Sequence, residues 1–196
     1  MENVTESTQI KPIIATERLE LVVPDSSYIE IMLGHMKNNI DHFKGSSPRS
    51  EKFYTRAFWE QRLKQIPEDF SQKKSLYLIL QKKNAEKNII GSLCFDNIVR
   101  GPFQACYLGY RMDKDHINAG YMYEALYAAI QFIQNEWKIH RIMANYRPTN
   151  IASGKLLEKL GFIIEGEAKK YMFLDGAWQD HVLTSLTNNV IDNIEI

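Results

Sequence analysis

From Ala105 to Phe132 the chain reads ACYLGYRM, then the polar turn DKDHINAG, then YMYEALYAAIQF. The first run has strand character and the last has helical apolar spacing. The next extended run, HRIMANYR at His140–Arg147, therefore follows a helical crossover. Two strands joined in this way are free to lie parallel, whereas hairpin-linked strands are not. The turn has a second consequence. The first N–H groups of a helix have no internal partners and carry the positive end of its dipole. Asn118, Ala119 and Gly120 form the turn and Tyr121 and Met122 follow. Glycine there allows an anion such as a phosphate to approach the backbone closely.

The remaining pattern sets the frame around this unit. RLELVVP (Arg18–Pro24) alternates as a strand and ends at proline. Asp25 or Ser26 caps a helix carrying Ile29, Met32, Leu33 and Met36, and KGSSPRS (Lys44–Ser50) reads as loop. Lys52–Ile66 has helical spacing at Phe58, Leu63 and Ile66, with Trp59 on its flank. SLYLILQKK and NIIGSLCFDNIV are β-rich runs joined through NAEKN, and Ala105–Met112 adds a third antiparallel strand. The helix from about Gly120 to Asn135 places Met122, Leu126, Ala129, Ile133 and Trp137 on one stripe. TNIASGKLLEKLGF is a helix with Asn150 at its N-cap and Gly161 just past its end. A hairpin turning at Asp175-Gly176 closes the series. The class is α+β, with a mixed, mostly antiparallel sheet and no doubly wound βαβ series. Residues 1–12 are expected to be a flexible arm and 13–196 a single domain.

Composition removes several classes. Lys+Arg and Asp+Glu both number 24, giving zero formal net charge. Stable nucleic-acid binding, which favours a basic excess, is not expected. Nothing approaches the ~20 apolar residues of a membrane span, and the polar N-terminus lacks a signal-peptide core. No membrane association is expected, and the expected compartment is the cytoplasm. Cys94 and Cys106 lie in apolar strands and read as buried thiols, and no metal site is expected.

RPTNIASGKLLEKLGFIIEGEAKKYMFLDGAWQDHVLTSL resembles the Asn-x-x-Ser-x-x-Leu-x-x-x-Gly-Phe region of GNAT-superfamily N-acetyltransferases. NIVRGPFQACYLGYRM, MYEALYAAIQFIQNEWKIHRIMANYRPTN and the early TERLELVVP resemble its RimJ group, which contains bacterial ribosomal-protein-alanine N-acetyltransferases. The resemblance spans nearly the whole chain after residue 12. It implies the GNAT fold: six or seven strands, helices on both faces, and a central parallel pair, Ala105–Met112 and His140–Arg147, that begins together and then splays. It implies acetyl-coenzyme A as cofactor, with pantetheine in the gap and pyrophosphate on the helix that starts at Gly120. The implied cofactor positions are Leu108, Tyr110, Met112, Ile117, Asn118, Ala119, Gly120, Tyr121, Met122, Asn145, Asn150, Ser153 and Lys155. The implied acceptor is a protein N-terminus or a small amine, and the enzyme a monomer or homodimer.

The turn departs from the family pattern, which is usually Gln/Arg-x-x-Gly-x-Gly/Ala. Ile117 stands at the polar position, Asn118 at a usual glycine and Met122 at the last small residue; Gly120 alone is retained. Backbone donors do not depend on side-chain identity, and asparagine tolerates positive φ. Binding is expected to persist, weakened by crowding from Met122.

Acetyl transfer to an amine requires a neutral nucleophile, a stabilised oxyanion and a proton for the leaving thiolate. Ser153 matches the serine proposed as acid in related enzymes. Its structural alternative is a hydrogen bond back to Asn150. The tyrosine some relatives carry further along that helix is Leu157 here, and their strand glutamate is Asn145. No base is dictated: Asp96, Glu124 and Tyr171 are candidates. Tyr107 is a further catalytic candidate. Tyr107 and Tyr110 alternate with Leu108, and one face of their strand is expected to line the acceptor groove. His116, His140 and His181 read as packing or surface residues, and Trp178 and Asp180 share a strand face that either organises the acceptor end or pins the hairpin. Three functions fit: N-terminal acetyltransferase, small-amine acetyltransferase, or a non-catalytic acyl-coenzyme A sensor or scaffold.

Overall fold

The computed structural model describes residues 12–43, 51–85, 88–174 and 176–188. The expected arm up to residue 11, the loop Lys44–Ser50, the hairpin residue Asp175, and Glu86 and Lys87 within NAEKN lie outside the described residues.

Eight strands form one sheet in the order β1-β2-β3-β4-β5-β6-β8-β7. They are β1 (Ile14–Ala15), β2 (Leu19–Val22), β3 (Leu76–Lys82), β4 (Gly91–Val99), β5 (Ala105–Met112), β6 (Arg141–Met143), β7 (Ile163–Leu174) and β8 (Ala177–Thr187). The four helices are α1 (Ile29–Asn38), α2 (Arg56–Ser71), α3 (Tyr121–Glu136) and α4 (Ile151–Lys159). The sheet exceeds the expected six or seven strands by β1. Its two residues carry no alternation of their own and are held by pairing Ile14 to Leu21 and Ala15 to Glu20.

Consecutive burial of Leu78, Ile79 and Leu80 in β3 means that both faces of the sheet are covered. The expected stripe of α3 is inside: Met122, Leu126, Ala129, Ile133 and Trp137 are all buried. Asp25 caps a 3₁₀ turn, Ser26–Tyr28, that leads into α1. Helix α2 runs past its expected end through Pro67 to Ser71. The proline removes one backbone donor, but Phe70 beyond it packs on the core and lies 5.9 Å, ring to ring, from Trp137.

The N-terminal strands are fastened to α3 through Glu124. This carboxylate accepts from Thr16 Oγ1 at 2.6 Å, from the Arg18 amide at 2.8 Å and from Arg18 Nε at 2.6 Å. Burial alone would push the Glu124 carboxyl up. Donation from Thr16 and Arg18 outweighs it and holds the group below its ordinary value. A carboxyl depressed in the folded state adds stability above its unfolded pKa of ~4.3 and loses it as pH falls through the lower folded value. Glu124→Gln is therefore expected to lower the melting temperature at pH 7, and the gap from wild type should close as pH drops below about 4. A gap unchanged by acid would show that the clamp carries no charge-dependent stability.

Candidate active site

The pairing of β5 with β6 is short. Ala105, Cys106 and Tyr107 align parallel with Arg141, Ile142 and Met143, and the ladder stops there. Beyond it β5 stays on β4 through Met112, while the other chain follows β8. The amide of Ala144 bonds Thr184, and Tyr146 exchanges both backbone bonds with Val182. The two central strands therefore separate. The expected strand His140–Arg147 is regular only over Arg141–Met143, because it parts from its neighbour there.

A cavity of about 280 Å³ occupies the gap, lined by Leu108, Tyr110, Asn145, Asn150, Ser153 and Leu157 among others. A second cavity, about 750 Å³, continues from it and shares Tyr110, Arg111, Arg147, Asn150 and Ser153. Its wall includes Met112, Ile117, Asn118, Gly120, Tyr121 and Met122. Ala119 and Lys155 line neither cavity; the Ala119 carbonyl is bound by Arg18, and Lys155 is exposed on α4.

The turn before α3 has the backbone that an anion site requires. Asn118 has φ 59° and Gly120 φ 78°, so the asparagine takes the left-handed conformation expected of it. No side chain caps α3 at Gly120, leaving its leading amides to the cavity. Met122 is 8 % exposed and belongs to the core cluster. Its side chain packs into the core, and the residue also borders the larger cavity.

Helix α4 brings the chemistry. Asn150 caps it by accepting from the Ser153 amide at 3.2 Å. Gly161, at φ 90°, ends it with its amide on Glu158 and the Phe162 amide on Leu157. The Ser153 hydroxyl is engaged elsewhere: its Oγ lies 2.6 Å from the Tyr110 hydroxyl. Burial pushes the Tyr110 phenol up to about 12 despite the bond from Ser153. This pair was not read from the sequence. Leu157, at the position where some relatives have a tyrosine, is buried and lines the same cavity as Tyr110 and Ser153.

Tyr107 and Tyr110 fall on opposite faces, contrary to a single groove-lining face. Tyr110 meets α4, whereas Tyr107 shares its side with Gly109 and Arg111. The Arg111 guanidinium lies 5.7 Å from the rings of Phe43 and of Phe53, both in the link between α1 and α2. On that side Asp96 stands opposite Tyr107, next to a bulge between Asp96 and Val99. Desolvation lifts the Asp96 carboxyl above its ordinary value. Tyr171 hydrogen bonds with Tyr107 and accepts from Asn145 Nδ2 at 3.0 Å. Three sequence candidates are thus one cluster at the start of the gap.

Other candidates are placed elsewhere. Glu124 sits in the Thr16–Arg18 clamp and lines neither cavity. His140 contacts the Asn188 carbonyl, whereas His116 contacts Asp113 and borders the larger cavity, and His181 is buried at the gap with Nδ1 3.2 Å from the Gln179 carbonyl. Asp180 accepts from the Lys170 amide and from Lys169, pinning the hairpin, and Trp178 meets Phe173 edge to face. Burial pushes both cysteine thiols up to about 12, so they are inert at neutral pH. No metal-binding group of His, Cys, Asp or Glu is found among the described residues. None of the described helices is long and apolar enough to cross a membrane.

Comparison with known proteins gives the same picture. The model of the acetyltransferase (GNAT) domain matches residues 35–163. The [Ribosomal protein uS5]-alanine N-acetyltransferase of Escherichia coli (strain K12) is 49% identical over 139 residues, 71% of each chain. The crystal structure of ribosomal-protein-S5-alanine acetyltransferase from Vibrio fischeri has a TM-score of 0.86 and 37% identity, covering 90% of this chain and 97% of that one. The fold also matches Mycobacterium smegmatis RimJ in complex with CoA-disulfide, at TM-score 0.80 and 21% identity over 89% of this chain and 84% of the other.

Proposed function

The chain belongs to the GNAT acetyltransferase family, and from that premise we propose that it acetylates the N-terminal α-amine of a ribosomal protein in the cytoplasm. The activity is acetyl transfer from acetyl-coenzyme A to an amine. The ribosomal acceptor is supported by the Escherichia coli and Vibrio fischeri relatives, both named for the alanine of one ribosomal protein. The observation that carries the reading is the separation of β5 from β6 after Tyr107, with two bonded hydroxyls in the opening.

Acetyl-coenzyme A supplies an activated thioester carbonyl when bound. The residues present fit it. The far half of β5 offers backbone groups that β6 does not pair, and the head of α3 offers uncapped amides to a diphosphate. Backbone N–H groups in the gap can also stabilise an oxyanion. Tyr110 and Ser153 would face the thioester sulfur and would offer it hydrogen bonds as negative charge gathers there. On the opposite side the Asp96 carboxylate can take the proton that the amine releases.

The acceptor follows from proton energetics. An α-amine, with pKa of about 7.7–8.0, needs only ~1 kcal/mol to be neutral at pH 7; a lysine at ~10.4 needs about 4.6 kcal/mol. His116, which contacts Asp113, borders the larger cavity at the head of α3 and not the gap beside Tyr110 and Ser153, so the easier amine is favoured. The test is thiol release with peptides bearing free Ala, Ser or Met N-termini, alongside spermidine and an N-terminally blocked lysine peptide. Turnover is expected on at least one free N-terminus, with the lysine peptide slower by about two orders of magnitude at pH 7. Equal turnover of the lysine peptide, or preference for spermidine, would overturn the assignment.

A further inference from the structure

The turn that begins α3 has Ile117 where the family pattern usually has Gln or Arg. The group that braces the turn comes from a residue about a hundred positions away. Arg18 Nη1 donates to the Ala119 carbonyl at 3.0 Å while its Nε holds Glu124 one turn into the helix at 2.6 Å. The guanidinium carbon stands 4.5 Å from the centre of the Tyr121 ring, and a Cβ on Gly120 would lie 3.4 Å from Arg18 Nη2. One side chain thus grips the carbonyl before the helix, the first aromatic ring in it and the carboxylate beyond.

This grip has a direction. In a trans peptide the C=O and the following N–H point opposite ways. Fixing the Ala119 carbonyl toward Arg18 turns the Gly120 N–H away from it. Gly120 lines the large cavity, and neither Ala119 nor Arg18 does. Rotation of this one peptide unit would exchange a donor for an acceptor at the head of α3 and repel an anion. We infer that Arg18 is a positioning residue for diphosphate binding: it holds the Ala119–Gly120 peptide with its N–H toward the cavity. The inference rests on the proposed docking of acetyl-coenzyme A and deepens it.

Two donors separate the possibilities: acetyl-coenzyme A, which has the diphosphate, and S-acetylpantetheine, which lacks it. Wild-type enzyme should show a much lower KM for the first; equal KM values would defeat the docking reading itself. In Arg18→Ala the KM for acetyl-coenzyme A should rise about tenfold, with kcat within about twofold and S-acetylpantetheine kinetics unchanged. Arg18→Lys guards against a folding defect. It retains a cation beside Glu124 but has one ammonium in place of a fork, so it cannot hold both partners in the same way. Its melting temperature should stay near wild type while the KM for acetyl-coenzyme A still rises severalfold. An unchanged KM in both variants, or parallel losses with both donors, would overturn the role assigned to Arg18.

Discussion

Tyr110→Phe is expected to lower kcat about a hundredfold and to change the KM for acetyl-coenzyme A by no more than about threefold. The scale is that of a lost hydrogen-bond donor aimed at charge that develops in the transition state. The phenol is 2.6 Å from Ser153 Oγ and raised to about 12 by burial, so it remains a donor throughout the neutral range. A thiolate near 8.5 does not take a proton outright from such a group: the mismatch of ~3.5 units is nearly 5 kcal/mol. The hydroxyls therefore act by a hydrogen bond that strengthens as charge gathers on sulfur, with the net proton drawn from the amine. Ser153→Ala should lower kcat more than it weakens binding, but by only about tenfold, since the phenol is still present. The double variant should be no slower than Tyr110→Phe, as expected for groups acting as a unit. Steady-state kinetics of the three variants decides this. Full kcat in Tyr110→Phe, or strictly multiplicative losses, would remove the pair from the chemistry.

Trp59→Ala is expected to be the most damaging single truncation on the α1–α2 side. Trp59 is 2 % exposed, packs edge to face on Phe53 at 5.2 Å and Phe58 at 5.4 Å, and donates Nε1–H to the Phe53 carbonyl at 2.9 Å. Removing the indole leaves a large cavity, typically worth about 3–5 kcal/mol. For a chain of this size that corresponds to a melting temperature lower by roughly 10 °C. Phe53 is also one of the two rings beneath Arg111. Trp59→Phe keeps the stacking and loses the donor, and should fall about 1 kcal/mol short of wild type. A Trp59→Ala variant melting within about 3 °C of wild type would contradict this account.

Local pattern carried much of the frame. Alternation in Arg18–Pro24 and in the meander, and helical spacing in α3 and α4, reflect which side of each element meets the core. Such information is written in neighbouring residues. Two residues at Ile14–Ala15 are too few to show a period, and Pro67 reads as a stop unless Phe70's place against Trp137 is known. The site divides along the same line. Gly120 and the Asn150 cap were legible because turns and helix ends have local rules. Tyr110 with Ser153, Tyr171 with Tyr107, and Arg18 with Glu124 are meetings made by the sheet across long stretches of chain. Glu124 looked like a base because a carboxylate alone does not disclose its partners. Leu157 was the usable clue: a hydroxyl missing from α4 invites a search for one on the strand beneath.

The abrupt end of the β5–β6 ladder has a spectroscopic corollary. Along β5, backbone groups alternate between the two flanking positions. Past Tyr107 those aimed at β4 remain locked, and those aimed at the opening meet no strand. Deuterium should therefore enter every second amide of Leu108–Met112 rapidly in the free enzyme, and slowly once a pantetheine chain lies alongside. A comb of fast and slow protons, levelled by ligand, would report occupancy residue by residue even for a variant that turns over nothing.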